Sequence, residues 1–577
     1  MQPISSSSRF ARFTPGLVLI LVALLGGGDG IAAPDANVPF GPARVLSSNR
    51  GMVVSAAPEA SMAGAEILAA GGNAMDAAVA TALALAVVYP QAGNLAGGGF
   101  LVARSPDGTV RALDFRETAP ALAGRDMFLG PDGRPVPKAS TATALAVATP
   151  GSVRGYAEAH RSLGRLPWKK VVAPAERLAR EGFRVSPGLS KDLAESRELL
   201  TRWDQTRRLF FPGGKPLEAG VLLRQPELAS TLARIAREGP EAFHRGEVAA
   251  RIAAFVKAHG GVLSEADLAG YTPIWRAPEE IRYGRLAVFT MPLPSSAGQV
   301  LRSVLAQLEV ARGLVGSLDA DSYHLLLEAE RRAYADRNRW LGDGDCTAIP
   351  LGEILAPARL AALGASIDPT RATPSTSVGA SLTREPEETT HLSVATPDGG
   401  AVSLTTTLNG SFGNGAIVPG IGVLLNNEMD DFAVAPGVPN LYGLVQGSEN
   451  EVRPGARPLS SMSPVIVEEE GRPLLVVGSP GGSTIPTTVL QVLLRLTSGE
   501  SLSSAVAAPR LHHQHTPDVV FVEEGGAPEA LRESLRARGH VLRERSPIGN
   551  VHAILFGQNG LLIGAADPRG EGAPAAP

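Results

Sequence analysis

Thr389, Thr390 and His391 stand where the chain changes character. Residues 364 to 388, just before them, are rich in Ser, Thr, Pro and Glu and poor in aliphatics, the composition of an exposed, mobile linker. After them His391–Ala395 alternates, Pro397–Gly400 is turn chemistry and Ala401–Thr407 alternates again, which predicts a hairpin. An internal Thr hydroxyl is a weak nucleophile with no base at hand. A Thr at a chain terminus carries its own base, an α-amino group with a pKa near ~8. A cut in the linker before Thr389 would create that group. Thr is also an ordinary strand-starting residue, so position alone leaves both readings open.

Other chemistry is sparse. There is no G-x-S-x-G, which argues against a nucleophile-elbow hydrolase. Gly478–Ser483 is glycine-rich but lacks the lysine of a phosphate-binding loop. His512, His513 and His515 have no cysteine partner and no carboxylates at ligand-like spacing, so they read as a structural cluster and not as a zinc site. Cys346 is the only cysteine, which rules out an intramolecular disulfide. It reads as a small, packed filler.

Several elements must position these residues. The 577 residues, 44% apolar and 19% charged, are ordinary globular composition with room for a large core. A net charge of -4 and the absence of long Lys/Arg runs argue against nucleic acid as a partner. Arg9 and Arg12, the apolar run Leu17–Leu25 and the small residues Ala32 and Ala33 read as a signal peptide over residues 1–33. That run is too short to be a stable membrane anchor, and no later stretch is suitable, so a periplasmic or secreted protein is expected. Residues 58 to 88 read as two helices broken at Gly71-Gly72, with Asn73 capping the second. A turn at Gly97–Gly99 leads into a strand from Phe100, and Leu113–Glu117 reads as a second strand. Apolar spacing predicts a helix over Ser322–Trp340. Short strands are expected near 421–425, 464–469, 473–478 and 551–555, with helices over 485–498 and 527–539. The last dozen residues read as frayed. Stacked sheets covered by helices are the fold class these elements suggest.

The segment TTHLSV from Thr389, then NGSFG (409–413), LLNNEMDDF (424–432), RPLSSMSP (457–464) and GSPGGS (478–483), resembles the γ-glutamyltransferase family in order and spacing. GGNAMDAAVA, AGNLAGGGF, DFRETAP and AYADRNRWLGD in the first half agree. The resemblance implies an αββα four-layer sandwich of the N-terminal-nucleophile hydrolases, without cofactor or metal. It implies a precursor that cuts itself at Glu388–Thr389 into a large subunit (34–388) and a small catalytic one (389–577), which stay associated.

The resemblance also assigns residues. Thr389 is the nucleophile, first in self-cleavage and then toward glutathione or another γ-glutamyl amide. A γ-glutamyl ester results, which water or an acceptor amino acid or peptide resolves. Thr407 matches the residue that hydrogen-bonds the nucleophile. Arg116 matches the binder of the substrate α-carboxylate, for which a planar guanidinium is suited, and Ser460 and Ser461 match its hydroxyl partners. Glu428 and Asp431, with Asn409 beside them, match the holders of the α-ammonium; without the family context these acids read as a solvated turn. Gly481 and Gly482 match the oxyanion donors. Residues 436 to 447, with Tyr442, match a lid loop. Two alternatives stand beside this reading. One is a glutaryl or cephalosporin acylase of the same superfamily, which retained Glu428 and Asp431 disfavour because glutaryl lacks an ammonium. The other is an uncleaved, inactive binding homologue.

Overall fold

The computed structural model describes residues 39–313, 316–375, 389–435 and 437–577. The expected signal peptide, Glu388 and the linker residues 376–388 lie outside them.

Two seven-stranded sheets form the middle of the molecule. In order across the first run Ala573–Ala575, Met52–Ser55, Thr390–Ala395, Ala401–Thr407, Gly98–Arg104, Val110–Asp114 and Ile274–Arg276. The second runs Arg44–Ser48, Leu562–Ala566, His552–Phe556, Arg472–Gly478, Val465–Glu469, Leu286–Thr290 and Glu279–Tyr283. Every neighbouring pair is antiparallel.

Side-chain alternation sorts the strands into three apolar layers. Val53, Leu101, Leu392, Val394, Val402 and Leu404 face outward onto the helices Pro58–Ala69 and Ala74–Val88. Val54, Phe100, Val102 and Ala401 meet Ile466, Val476 and Ile554 of the second sheet. Val465, Val467, Leu475, Val477 and Ala553 face the helices Ala297–Arg312, Ala320–Trp340 and Ile485–Thr497. Helix, sheet, sheet, helix is the αββα order of the N-terminal-nucleophile hydrolases.

The break at Gly71-Gly72 is present, and Asn73 with Asp76 forms a reciprocal capping box at the start of Ala74–Val88. That helix is buried on every side, which is why its sequence has no polar face. Four expectations need correction. The end of the chain is ordered: Ala573–Ala575 adds an edge strand to Met52–Ser55. The linker starts later than its composition suggests. Residues 364–365 end the helix Pro357–Ala365, and residues 372–375 are tied down where the amides of Ala372, Thr373 and Ser375 donate to Arg538, Glu328 and Asp518. The strand expected over Leu113–Glu117 is Val110–Asp114, so Arg116 lies just beyond its end. Cys346 is exposed and not packed, and burial of its sulfur with Asp343 alongside pushes the thiol up to about 11. It is a poor nucleophile at neutral pH.

Candidate active site

The turn at Pro397–Gly400 sets the hairpin register at Thr390↔Thr406. One step further, Thr389 falls opposite Thr407, and both side chains project on the face toward the second sheet. Thr389 Oγ1 lies 3.4 Å from Thr407 Oγ1, a long contact for two hydroxyls. Thr407 Oγ1 in turn accepts from the Asn409 amide at 2.9 Å. Asn409 has a φ of 75°, a left-handed conformation that Asn tolerates better than most residues. This bend turns the chain out of the strand and lets Asn409 Nδ2 donate to the Asn427 carbonyl at 3.0 Å.

That contact leads to the acids. Residues Glu428–Asp431 form a buried 3-10 turn, not a solvated one. Arg116 is fully buried against it, with one guanidinium nitrogen on Glu428 and another on Asp431. Glu117 lies 3.6 Å from the same guanidinium. Burial opposes the charge on Arg116, but Glu428, Asp431 and Glu117 outweigh it and raise its pKa. Burial also pushes Glu117 up to about 7 and Glu428 well above the usual carboxylate range. Asn440 Nδ2 donates to the other oxygen of Asp431 at 3.1 Å.

Ser460 and Ser461 come from the segment leading into Val465–Glu469. Ser296 fixes them: its amide and hydroxyl both donate to the Ser460 carbonyl. Gly481 and Gly482 follow the strand Arg472–Gly478 and have φ of 132° and 51°. Neither amide has a hydrogen-bond partner among the described residues. Tyr334 and Thr484 hold this loop through the Ser483 and Gly481 carbonyls. The segment around Tyr442 is folded down over it. Pro439 bridges Val445, Tyr442 Oη donates to the Asn409 carbonyl at 2.6 Å, and the Tyr442 ring covers Gly482.

One cavity of about 310 Å³, counted with its open mouth, gathers these groups. Thr389, Thr407, Arg116, Asn409, Glu428, Asp431, Tyr442, Ser460, Ser461 and Gly482 all line it, and Gly481 stands one residue behind. The three histidines do not converge on it. His512 bonds Thr487 and Gln514, and His513 lies 3.5 Å from Asp518. A methyl on Gly482 would sit 2.4 Å from the Tyr442 ring and require a left-handed φ. Gly482→Ala is therefore expected to displace the lid and cost about 100-fold or more in turnover, if its amide stabilises an oxyanion. Steady-state kinetics of the purified variant checks this.

One charged lining residue was not singled out from the sequence. Arg337 reaches the cavity from the last turn of Ala320–Trp340. The signal was present: it lies three residues after Tyr334 and four after Ala333, on the helix's buried face.

Residues 60–576 match the model of the Gamma-glutamyltranspeptidase family. The chain belongs to that family. It is 44% identical over 532 residues to the "Glutathione hydrolase proenzyme" of Escherichia coli (strain K12), covering 91% of each chain. It is 36% identical to the "Acylase ACY 1 proenzyme" of Pseudomonas sp. (strain SE83), covering 92% of this chain and 94% of that one. Among solved structures, cephalosporin acylase from Bacillus halodurans superposes with a TM-score of 0.82 at 27% identity, covering 96% of this chain and 99% of that one. The relatives named glutathione hydrolase support γ-glutamyltransferase function for this chain, and the acylases stand only as the alternative.

Proposed function

We propose that this chain is a γ-glutamyltransferase and glutathione hydrolase that cuts itself at Glu388–Thr389 and then works through a γ-glutamyl ester on Thr389. The observation that carries the reading is the buried charge cluster in the cavity that Thr389 lines: the Arg116 guanidinium held by two carboxylates, Glu428 and Asp431. A γ-glutamyl group has one α-carboxylate and one α-ammonium. Its head can exchange ion pairs with this triad, so that no charge is buried alone. Arg116 with Ser460 and Ser461 takes the carboxylate; Glu428, Asp431 and Asn409 take the ammonium.

In the cleaved enzyme the α-amine of Thr389 removes the hydroxyl proton as Oγ1 attacks the γ-carbonyl. Thr407 orients that hydroxyl. The amides of Gly481 and Gly482 donate to the oxyanion, each contributing on the order of 3 kcal/mol. The ammonium then returns the proton to the leaving amine. Water or an acceptor amine opens the ester by the reverse sequence. Tyr442 shields the ester from bulk water meanwhile.

The strand order supports association of the two subunits. In the first sheet the small-subunit pair 390–395 and 401–407 lies between the large-subunit strands 52–55 and 98–104, with small-subunit 573–575 on the outer edge of 52–55, and the second sheet also mixes both. Cutting before Thr389 leaves these ladders intact. The leader 1–33 supports export to the periplasm or beyond.

A glutaryl acylase would leave Glu428 and Asp431 facing a methylene. Turnover of γ-glutamyl and glutaryl anilides separates the two readings. At least about 100-fold preference for the γ-glutamyl donor is expected, because a site built to bond a charged group rejects the analogue lacking it. A preference for glutaryl overturns the proposal.

A further inference from the structure

Arg337 is 1% exposed, and no carboxylate lies within 4.0 Å of its guanidinium among the described residues. Its three nitrogens contact only neutral oxygens: Nε donates to Ser296 Oγ at 3.3 Å, Nη1 to Asn338 Oδ1 at 3.2 Å and Nη2 to Ser461 Oγ at 3.2 Å. A buried cation without an anion is costly, and burial depresses its pKa. It lines the same cavity as Thr389. Arg116, by contrast, is already engaged by Glu428 and Asp431.

The chemistry of the Ser461 contact carries the argument. A guanidinium only donates. Ser461 Oγ must therefore accept from Arg337, and its own O–H is left to donate elsewhere. Ser296 reinforces the arrangement: it accepts from Arg337 Nε, and its hydroxyl donates to the Ser460 carbonyl at 3.0 Å and lies 3.4 Å from Ser461 Oγ, again as a donor to it. A neutral partner in place of Arg337 would let the Ser461 hydroxyl point its proton away from the cavity. The field of the unpaired charge also favours an anion at the Ser461 end over a cation.

We propose that Arg337 is a positioning residue for the substrate α-carboxylate, acting through Ser461: it fixes that hydroxyl as a donor and makes this end of the cavity selective for an anion. The proposal rests on the γ-glutamyl reading above. It gives a neutral hydroxyl pair the polarity it needs, and it gives the buried charge on the helix Ala320–Trp340 a function.

The test compares γ-glutamyl anilide with 4-aminobutyryl anilide, which keeps the ammonium and lacks the α-carboxylate. Wild type, Arg337→Lys, Ser461→Ala and the double variant are assayed after a denaturing gel has shown two subunits. Arg337→Lys keeps the charge but not the fork. The expected result is a rise of about tenfold or more in KM for the γ-glutamyl donor, with kcat changed less. The 4-aminobutyryl reaction stays close to wild type, and the double variant is little worse than Ser461→Ala alone. A merely structural role would depress both substrates together and give additive losses; either result overturns the proposal. If Arg337→Lys yields no subunits, Ser461→Ala decides: unchanged discrimination between the two anilides contradicts the proposed path through Ser461. Failure of the wild type to use γ-glutamyl anilide would refute the functional reading itself, a distinct outcome.

Discussion

Replacing Thr389 by Ala is expected to leave a single band of full-length chain on a denaturing gel and to abolish γ-glutamyl turnover, by on the order of 10⁴-fold or more. Both losses come from one atom. In the proposed mechanism the Thr389 hydroxyl attacks the preceding carbonyl, and without a cut there is no α-amine to serve as base. The hairpin should survive, because among the described residues the side chain makes only one hydrogen bond, the long one to Thr407. An unchanged thermal midpoint with complete loss of cutting is thus the signature of a chemical lesion and not of misfolding. Thr389→Ser keeps the oxygen and should still cut, more slowly. Processing of Thr389→Ala at the same position would assign the scission to another group.

Arg116→Gln is expected to damage binding and stability together. Glu428 and Asp431 each lose their charged partner while remaining buried, and breaking such pairs typically costs about 3–5 kcal/mol. Glutamine cannot hold a substrate carboxylate bidentately, so kcat/KM for γ-glutamyl anilide should fall on the order of 100-fold or more. The stability loss has a defined pH dependence. Burial already raises Glu428 and Glu117 above their ordinary value of 4.5, and removing the guanidinium raises them further. The folded state then holds protons that the unfolded state has released, so stability falls as pH rises above that value. Thermal melts should show Arg116→Gln closest to wild type near pH 5 and furthest from it near pH 8. A deficit that is the same at both would mean the acids do not depend on Arg116 for their charge.

Legibility in the sequence varied with the kind of signal. The hairpin around Pro397–Gly400 was legible from local pattern, and it allowed Thr389 and Thr407, paired by the family motifs, to lie close together; the register then brings them opposite. The cap at Asn73 was legible from the Gly71-Gly72 break before it and the apolar run after it. Arg116 and the acids were not. They come from segments some 312 to 315 residues apart, and an acidic turn reads as solvated until its partner is known. Family motifs supplied what local pattern could not. The edge strand Ala573–Ala575 has no β-branched residue to mark it; pairing with Met52–Ser55 creates it. Arg337 was legible in position but not in meaning, since a charge on a buried helix face signals a partner without naming it.

The most direct test of the account is peptide mass spectrometry of enzyme quenched with acid during turnover of a γ-glutamyl donor. The expected result is a small-subunit peptide that begins at Thr389, with a free α-amine and one γ-glutamyl group on the hydroxyl. An acyl group on any other residue, or active enzyme in which Glu388 and Thr389 are still joined, would contradict it.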